Sequence, residues 1–320
     1  MSHAFDLLVV GRPSVDIMFS GLGTWPSIGK DIEAAGLGWC AGTSFNTAAS
    51  ANRLGLHVAY VATIGNDVWS RIILEEFESE GLPTTFLRVE NRPLPGISVA
   101  MNHEGDRGFI TFWGHDEEYG ARLVSRALVV TEQVDARHLH AYTDETPELV
   151  QIARRRGMSV SLDAWGGPEW TTETSLAQML STADVLFANR AESAAMTGEV
   201  EPERALSRLA EHCGCVVIKL GAAGAIARAG DETVHVPADE VDVVDTTGAG
   251  DALNAGFLSG WLSGRSLEQS LTLGVICGTR AVGNYGGYRG CPSITEAREL
   301  AAARGVAIPE PTLAPEGDPT

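Results

Sequence analysis

Asp245-Thr246-Thr247-Gly248-Ala249-Gly250-Asp251-Ala252-Leu253-Asn254-Ala255-Gly256-Phe257 is a polar, glycine-rich turn that runs straight into an apolar helical pattern. Side chains at Gly248, Ala249 and Gly250 are small or absent, so their N–H groups and those of the first helical turn can converge on a phosphate. The helix dipole adds about half a positive charge at that point. Asp251 does not fit a simple anion site, because a carboxylate beside a phosphate repels it. Its chemistry suits a proton acceptor for an attacking hydroxyl. The competing reading makes Asp245 or Asp251 a helix N-cap and the glycines a tight turn.

Outward from this turn, short apolar runs alternate with helical patterns, which predicts parallel strands covered by helices on both faces. Strands are expected at Asp6 to Val10, Val58 to Ile64, Ala136 to Ala141, Met158 to Leu162, Val185 to Ala188 and Val216 to Leu220. An antiparallel edge is expected at Gly224 to Arg228 and Thr233 to Val236. Helices are expected over Phe45 to Leu54, from an Asp67 cap to about Glu80, from near Thr146, Thr172, Arg190 and Glu203, and over Gly248 to Leu262, Leu267 to Val282 and Thr295 to Arg304. In the Asp67 helix, Val68, Ile72, Leu74 and Phe77 are placed toward the core, with Glu75, Glu76, Glu78 and Glu80 toward solvent. Ile97 to Met101 and Gly108 to Phe112 break the rhythm as a hairpin pattern around Asn102 to Asp106. With Ile17 to Phe19 and Ile32 to Leu37 they suggest a small accessory sheet acting as a lid. The expected organisation is one domain over residues 1–310, with lid segments near 17–38 and 86–113 and a flexible tail at 311–320.

A chain of 320 residues, 44% hydrophobic and 20% charged, can bury a large core. No apolar run approaches the roughly 18 residues of a membrane helix, and Met1 to Gly11 lacks a signal-peptide pattern. The expectation is a cytoplasmic protein with no membrane partner. Lys and Arg number 23 against 42 Asp and Glu, and the resulting charge of −19 opposes a nucleic-acid partner. An anionic ligand must then be held by backbone N–H groups, a metal ion or local cations. Cys40, Cys213, Cys215, Cys277 and Cys291 fit neither a disulfide framework nor a zinc pattern. His138 and His140 face one side of a strand without a third metal-spaced ligand and read as structural. Gly29-Lys30-Asp31 fails as a Walker loop, and Gly11-Arg12-Pro13-Ser14 lacks the glycines of a dinucleotide loop.

Asp245 to Asp251 matches the D-T-x-G-A-G-D signature of the ribokinase (PfkB-type) family of carbohydrate and nucleoside kinases, and the chain resembles that family in four further places. Gly42 and Asn46 in Ala41-Gly42-Thr43-Ser44-Phe45-Asn46-Thr47-Ala48 resemble its G-G-x-x-x-N-x-A motif, and Gly65 and Asp67 its G-x-D. Asn189-Arg190-Ala191-Glu192 resembles its N-x-x-E, and Lys219-Leu220-Gly221-Ala222-Ala223-Gly224 its K-x-G-x-x-G. The resemblance implies a ribokinase-like three-layer α/β sandwich with a mostly parallel sheet and a small β lid. It implies transfer of the γ-phosphoryl group of Mg-ATP to a hydroxyl of a small sugar-like acceptor. In that frame Asp251 is the general base, and Gly248, Ala249 and Gly250 stabilise charge on the phosphoryl group. Asp16, Gly42 and Asn46 hold the acceptor, and Asn189, Lys219, Gly221 and Gly224 lie toward ATP. Glu192 acts on Mg2+ through water, and K+ sits beside Asp245 and Thr247. A homodimer through the lid is implied as in several members.

Ala41 and Ser70 stand where the family often has glycine. Asp163-Ala164-Trp165-Gly166-Gly167 lacks the Asn and Arg of the D-x-N-x-R run found in many sugar kinases, so the familiar sugars do not carry over. Trp25, Trp39, Phe112 and Trp113 leave a nucleoside acceptor open, while Arg88, Arg92 and Arg107 read as solvated. A non-catalytic sugar- or nucleotide-binding relative is the reading outside enzymes. The negative charge, and the lack of Lys or Arg from Gly42 to Asn46, predict an unphosphorylated acceptor.

Overall fold

Alternate residues of β1 (Phe5–Val10) enter different cores: Leu7 and Val9 pack into one apolar cluster, Leu8 and Val10 into another. A strand buried on both faces needs a layer of helices on each side, and the chain supplies them. We analysed a computed structural model that describes residues 3–103, 106–142, 147–164 and 173–309. The remaining strands of the large sheet are β4 (Val58–Ile64), β5 (Leu87–Val89), β8 (Ala136–Tyr142), β9 (Ser159–Asp163), β10 (Val185–Asn189), β11 (Cys215–Lys219), β12 (Ala225–Ala229) and β13 (Glu232–Val236). Their order is β13-β12-β11-β10-β9-β8-β1-β4-β5, parallel from β11 to β5, with β12 and β13 antiparallel at one edge. One face is covered by α1 (Ser44–Arg53), α2 (Val68–Ser79), α8 (Ala249–Leu262), α9 (Leu267–Ala281) and α10 (Ile294–Ala303). The other is covered by α3 (Tyr119–Gln133), α4 (Pro147–Arg155), α5 (Glu173–Leu180) and α7 (Pro202–Ala210), with α6 (Arg190–Thr197) following β10. Among the described residues no helix is long and apolar enough to cross a membrane.

The small sheet is β3-β2-β6-β7, built from β2 (Pro13–Ser20), β3 (Gly36–Thr43), β6 (Ile97–His103) and β7 (Asp106–Phe112). Its inner face buries Met18, Cys40 and Ala100. On the outer face the register aligns Trp39, Ile17, Val99 and Ile110 in one row and Leu37, Phe19 and Met101 in the next. Leu37, Trp39 and Ile110 are more than half exposed there.

Several expectations shift. The lid strands begin at Pro13 and Gly36, since Ile32 to Ala35 form no strand, and Leu87–Val89 joins the large sheet beside β4 and leaves the lid. In α2, Phe77 is buried as expected and Ile72 and Leu74 pack against the core, but Val68 is exposed and Ile73 is buried instead. Glu76 is buried, accepting from the Tyr288 hydroxyl and pairing with Arg289, partners 212 and 213 residues away that no local pattern reveals. Arg92 is not simply solvated: it pairs with Glu90 and with Asp116, each at 2.8 Å. Helix α3 was not anticipated. Tyr119, Leu123, Ala127 and Val130 give it an apolar face, but Glu118 caps it without a side-chain hydrogen bond, so the usual start signal is missing. The cysteines are free and buried, and His138 and His140 are buried against Ser159 and Ser161. Trp165 to Gly167 and the 311–320 tail lie outside the described residues.

Candidate active site

Parallel strands end on one side of the sheet, and the crevice beyond their C-terminal ends is where α/β proteins gather ligands. Here that crevice is a cavity of about 590 Å³. Gly11 and Arg12 reach it after β1, Tyr142 from β8, Asp163 and Ala164 from β9, and Lys219 from β11. Glu192 enters from α6, and Gly248, Gly250 and Asp251 from the start of α8. Thr43, Ser44, Trp113, Asp116 and Tyr119 close the side next to the lid.

Gly248 caps α8 with φ +71°, a left-handed conformation that a side chain disfavours. A Cβ there would lie 2.6 Å from the Gly287 Cα and 2.9 Å from Asn46. Glycines on both strands of this crossing therefore let the turn close on α1. The Ala249 amide bonds weakly back to the Thr246 carbonyl at 3.4 Å, whereas the amides of Gly250 and Asp251 have no backbone acceptor among the described residues. Those two N–H groups stand open at the positive end of the helix dipole, an arrangement that suits an anion.

Asp251 is held by Thr47 Oγ1, which donates to Oδ1 at 3.1 Å, and more loosely by Asn46 Nδ2, 3.4 Å from Oδ2. Burial raises its carboxyl to about 7, helped by the Asp163 charge and opposed by Lys219 and the two hydrogen bonds. Lys219 Nζ donates to Asp163 Oδ1 at 2.8 Å, and Asn254 Nδ2 donates to Asp163 Oδ2 at 2.7 Å. Burial alone would lower the Lys219 ammonium, but Asp163 and Glu192 raise it above its ordinary value. Lys219 is thereby a fixed positive charge next to Gly250, whose added Cβ would lie 3.3 Å from Nζ.

The other residues singled out in the sequence divide. Asn46 is buried beside Asp251 and its Oδ1 has no partner among the described residues. Asp16 is buried, takes a 2.8 Å hydrogen bond from Ser14 Oγ, and is raised to about 6 by burial against that bond. Gly42 makes room for it: a Cβ there would stand 2.0 Å from Asp16 Oδ2. Neither Asp16 nor Gly42 lines the cavity. Asn189 and Glu192 form a reciprocal capping box on α6, the Asn189 Oδ1 accepting from the Glu192 amide at 2.9 Å and Glu192 Oε2 from the Asn189 amide at 2.7 Å. Glu192 still lines the cavity, with burial raising its carboxyl and Lys219 opposing. Gly221, in a single 3₁₀ turn, is exposed, and Gly224 is needed because a Cβ would meet the Val236 carbonyl at 2.0 Å; neither reaches the cavity. Asp245 Oδ1 accepts from the Thr247 amide at 3.0 Å and Oδ2 from the Gly286 amide at 3.4 Å, while Thr247 Oγ1 is buried without a partner among the described residues.

Among the cavity residues that carry no motif role, Thr43, Arg12 and Tyr119 stand out. Thr43 has φ +55°, unusual for a β-branched residue, and its hydroxyl donates to the carbonyls of Arg12 and Gly42, so the backbone strain sits one residue past the glycine of the motif. Arg12 was read only as an obstacle to a dinucleotide loop. Tyr119 belongs to the unanticipated α3. A pairing of Tyr119 with the strand-end arginine is not encoded in any local spacing.

The profile of the pfkB family carbohydrate kinases matches residues 40–294. A protein described as an uncharacterized sugar kinase of Archaeoglobus fulgidus is 30% identical over 249 residues, covering 75% of this chain and 97% of its own length. The ribokinase of Haemophilus influenzae is 26% identical over 271 residues, covering 81% of this chain and 86% of its own. Among solved structures, the adenosine kinase of Sinorhizobium meliloti is 27% identical with a TM-score of 0.75, covering 93% of this chain and 99% of that one.

Proposed function

Because the chain belongs to the pfkB family of carbohydrate kinases, we propose that it transfers the γ-phosphoryl group of ATP to a hydroxyl of a small polyol, with Asp251 as the general base. One observation carries this reading: a half-buried carboxylate, raised to about 7 by desolvation, stands at the start of α8 and lines the cavity. A base with a pKa near the working pH is ionised often enough to accept a proton and basic enough to hold it. Thr47 and Asn46 orient its two oxygens. The Gly250 and Asp251 amides, with Lys219 alongside, face the charge that develops on the transferred group. Asn46 Oδ1, unpartnered beside Asp251 among the described residues, suits a further hydroxyl of the acceptor, and Asp16, buried outside the cavity lining, would have to be uncovered to reach one.

Among the described residues no cluster of three or more His, Cys, Asp or Glu forms a metal centre. Glu192, a carboxylate lining the cavity, is the residue that would hold Mg2+, which takes few protein ligands and arrives with phosphates. Bound with the nucleotide, Mg2+ neutralises phosphate charge. Asp245 and the orphaned Thr247 hydroxyl fit a K+ ion. Asn189 acts by fixing Glu192, and Gly221 and Gly224 by shaping the β11–β12 turn that borders the nucleotide. The apolar outer face of the lid suits a homodimer.

The test is ADP release with Mg-ATP against sugars, sugar acids, phosphosugars and nucleosides. Acceptor-dependent release that vanishes on chelation of magnesium is expected. Release that no acceptor stimulates refutes the reading.

A further inference from the structure

Arg12 is half-buried at the end of β1, inside the cavity and against the lid hairpin. Its guanidinium lies over two aromatic rings, 4.8 Å from the Trp113 centroid and 4.0 Å from that of Tyr119. One terminal nitrogen, Nη2, donates to the Pro95 carbonyl at 3.2 Å and to the Trp113 carbonyl. Nε and Nη1 make no hydrogen bond among the described residues, and Arg12 has no ion pair among them. The carboxylate nearest in charge, Asp116, is already bound by Arg92 at 2.8 Å and by Arg122. Burial draws the Arg12 guanidinium below its ordinary value, with Tyr119 and Asp116 opposing.

Two carbonyls and two ring faces hold the cation in place without neutralising it, so its charge stays open to a counter-ion. A partly desolvated cation without a counter-ion costs free energy that a ligand can offset. The rings hold the fork in one plane, which removes the flexibility that otherwise weakens an arginine contact. A planar, pre-set fork with free N–H groups matches two oxygens of a carboxylate or phosphate. In a chain of net charge −19, such a group has few other places to go.

Position separates this group from Asn189 and Lys219, the residues that the kinase reading gives to the nucleotide. Asn189 and Lys219 stand at the ends of β10 and β11, three and four strands from β1 in the order β11-β10-β9-β8-β1, roughly 14 and 19 Å away at strand spacing. Asp251 contacts α1 and senses both Asp163 and Lys219, so it stands between the two ends. An anion at Arg12 is therefore on the acceptor's side.

We propose that Arg12, held against Trp113 and Tyr119, is a specificity-determining residue that binds a carboxylate or phosphate on the acceptor, so that the enzyme prefers an anionic polyol to a neutral sugar or a nucleoside. The word acceptor rests on the kinase reading above; the anion site does not. One face of each ring is covered by the guanidinium, which counts against their sandwiching a nucleobase. The expectation of an unphosphorylated acceptor rests on the net charge and on the lack of Lys or Arg from Gly42 to Asn46, and Arg12 supplies a cation from the neighbouring strand end.

The panel that decides is ribose, ribonate and ribose 5-phosphate, with glucose, gluconate, glucose 6-phosphate and adenosine. It is measured by ADP release with Mg-ATP and, without nucleotide, by calorimetric binding. The full chain is compared with Arg12→Gln and Arg12→Lys. An anionic member is expected to exceed its neutral parent roughly ten- to a hundred-fold in kcat/KM and in affinity. Arg12→Gln abolishes that ratio through the acceptor KM while the ATP KM stays put, and Arg12→Lys, which keeps charge without the fork, restores part of it. Ribonate against ribose 5-phosphate separates carboxylate from phosphate. Preference of the wild type for ribose, glucose or adenosine overturns the proposal. So does an anion preference that survives in Arg12→Gln, an ATP KM that rises with it, or failure of all four anions to bind. Anion binding that depends on Arg12 without any acceptor-dependent ADP release sustains the site and removes the kinase reading. If Arg12→Gln proves misfolded by circular dichroism, the wild-type ratio and its reduction in Arg12→Lys decide.

Discussion

Asp251 has to remain a base in a place where burial works to keep it protonated, and its two donors and Lys219 hold that balance near neutrality. Replacing it with Asn preserves size and removes the base. The expected loss in kcat is roughly 10²–10⁴-fold, about 3–5 kcal/mol of barrier, with the ATP KM unchanged or lower because a negative charge leaves the phosphate site. Steady-state kinetics on a well-folded Asp251→Asn protein checks this, and near-normal turnover reduces Asp251 to a helix residue. The pH profile gives a second check. Since the deprotonated form is the active one, kcat/KM for the acceptor should rise with pH through about 7 and level off above it. A profile flat from pH 5.5 to 8.5 contradicts the assignment.

At the scale of single elements, the start of α8 depends on absent side chains. Gly248→Ala forces a Cβ into left-handed backbone and against Gly287. A stability loss of roughly 1–3 kcal/mol and a larger fall in activity are expected, read by thermal melting and ADP release; a melt and rate like the wild type's would refute the tight crossing. This turn was legible from Asp245 to Asp251 because its chemistry is local. So were the parallel strands, whose apolar runs end at Gly11, Gly65 and similar breaks. The α6 motif was legible yet ambiguous: Asn-x-x-Glu is also the pattern of a capping box, and Asn189 and Glu192 make one while Glu192 still faces the cavity. What stayed hidden was non-local. Glu76 on α2 looks solvent-facing until Tyr288 and Arg289 are folded against it, and Arg12 looks like a turn residue until a hairpin and an uncapped helix bring Trp113 and Tyr119 against it.

For the molecule as a whole, the outer lid rows of Trp39, Ile17, Val99 and Ile110 and of Leu37, Phe19 and Met101 leave apolar surface uncovered. A dimer through this face is expected in light scattering, and Trp39→Glu combined with Ile110→Glu should weaken it more than about tenfold, since buried like charges would face each other across the contact. A monomeric wild type removes the idea. The buried ionisable groups have a different reach. Burial holds His138 well below 6.5 and His140 near 4, so the unfolded chain binds protons there that the folded chain refuses, and stability falls as pH drops below about 6.5. Burial also holds Asp16 near 6 and Asp251 near 7 against 3.8 in the open chain, so the folded state keeps protons the unfolded state has shed, and stability falls as pH climbs from about 4 toward 7. Two histidines and the raised carboxylates Asp16, Asp251 and Glu192 thus pull in opposite directions over one acid window. The melting temperature should be nearly level there, like a solution with matched acid and base buffers. In Asp251→Asn one side is lightened, and the same curve should tilt upward with pH, a slope that differential scanning calorimetry between pH 4.5 and 6.5 reads directly.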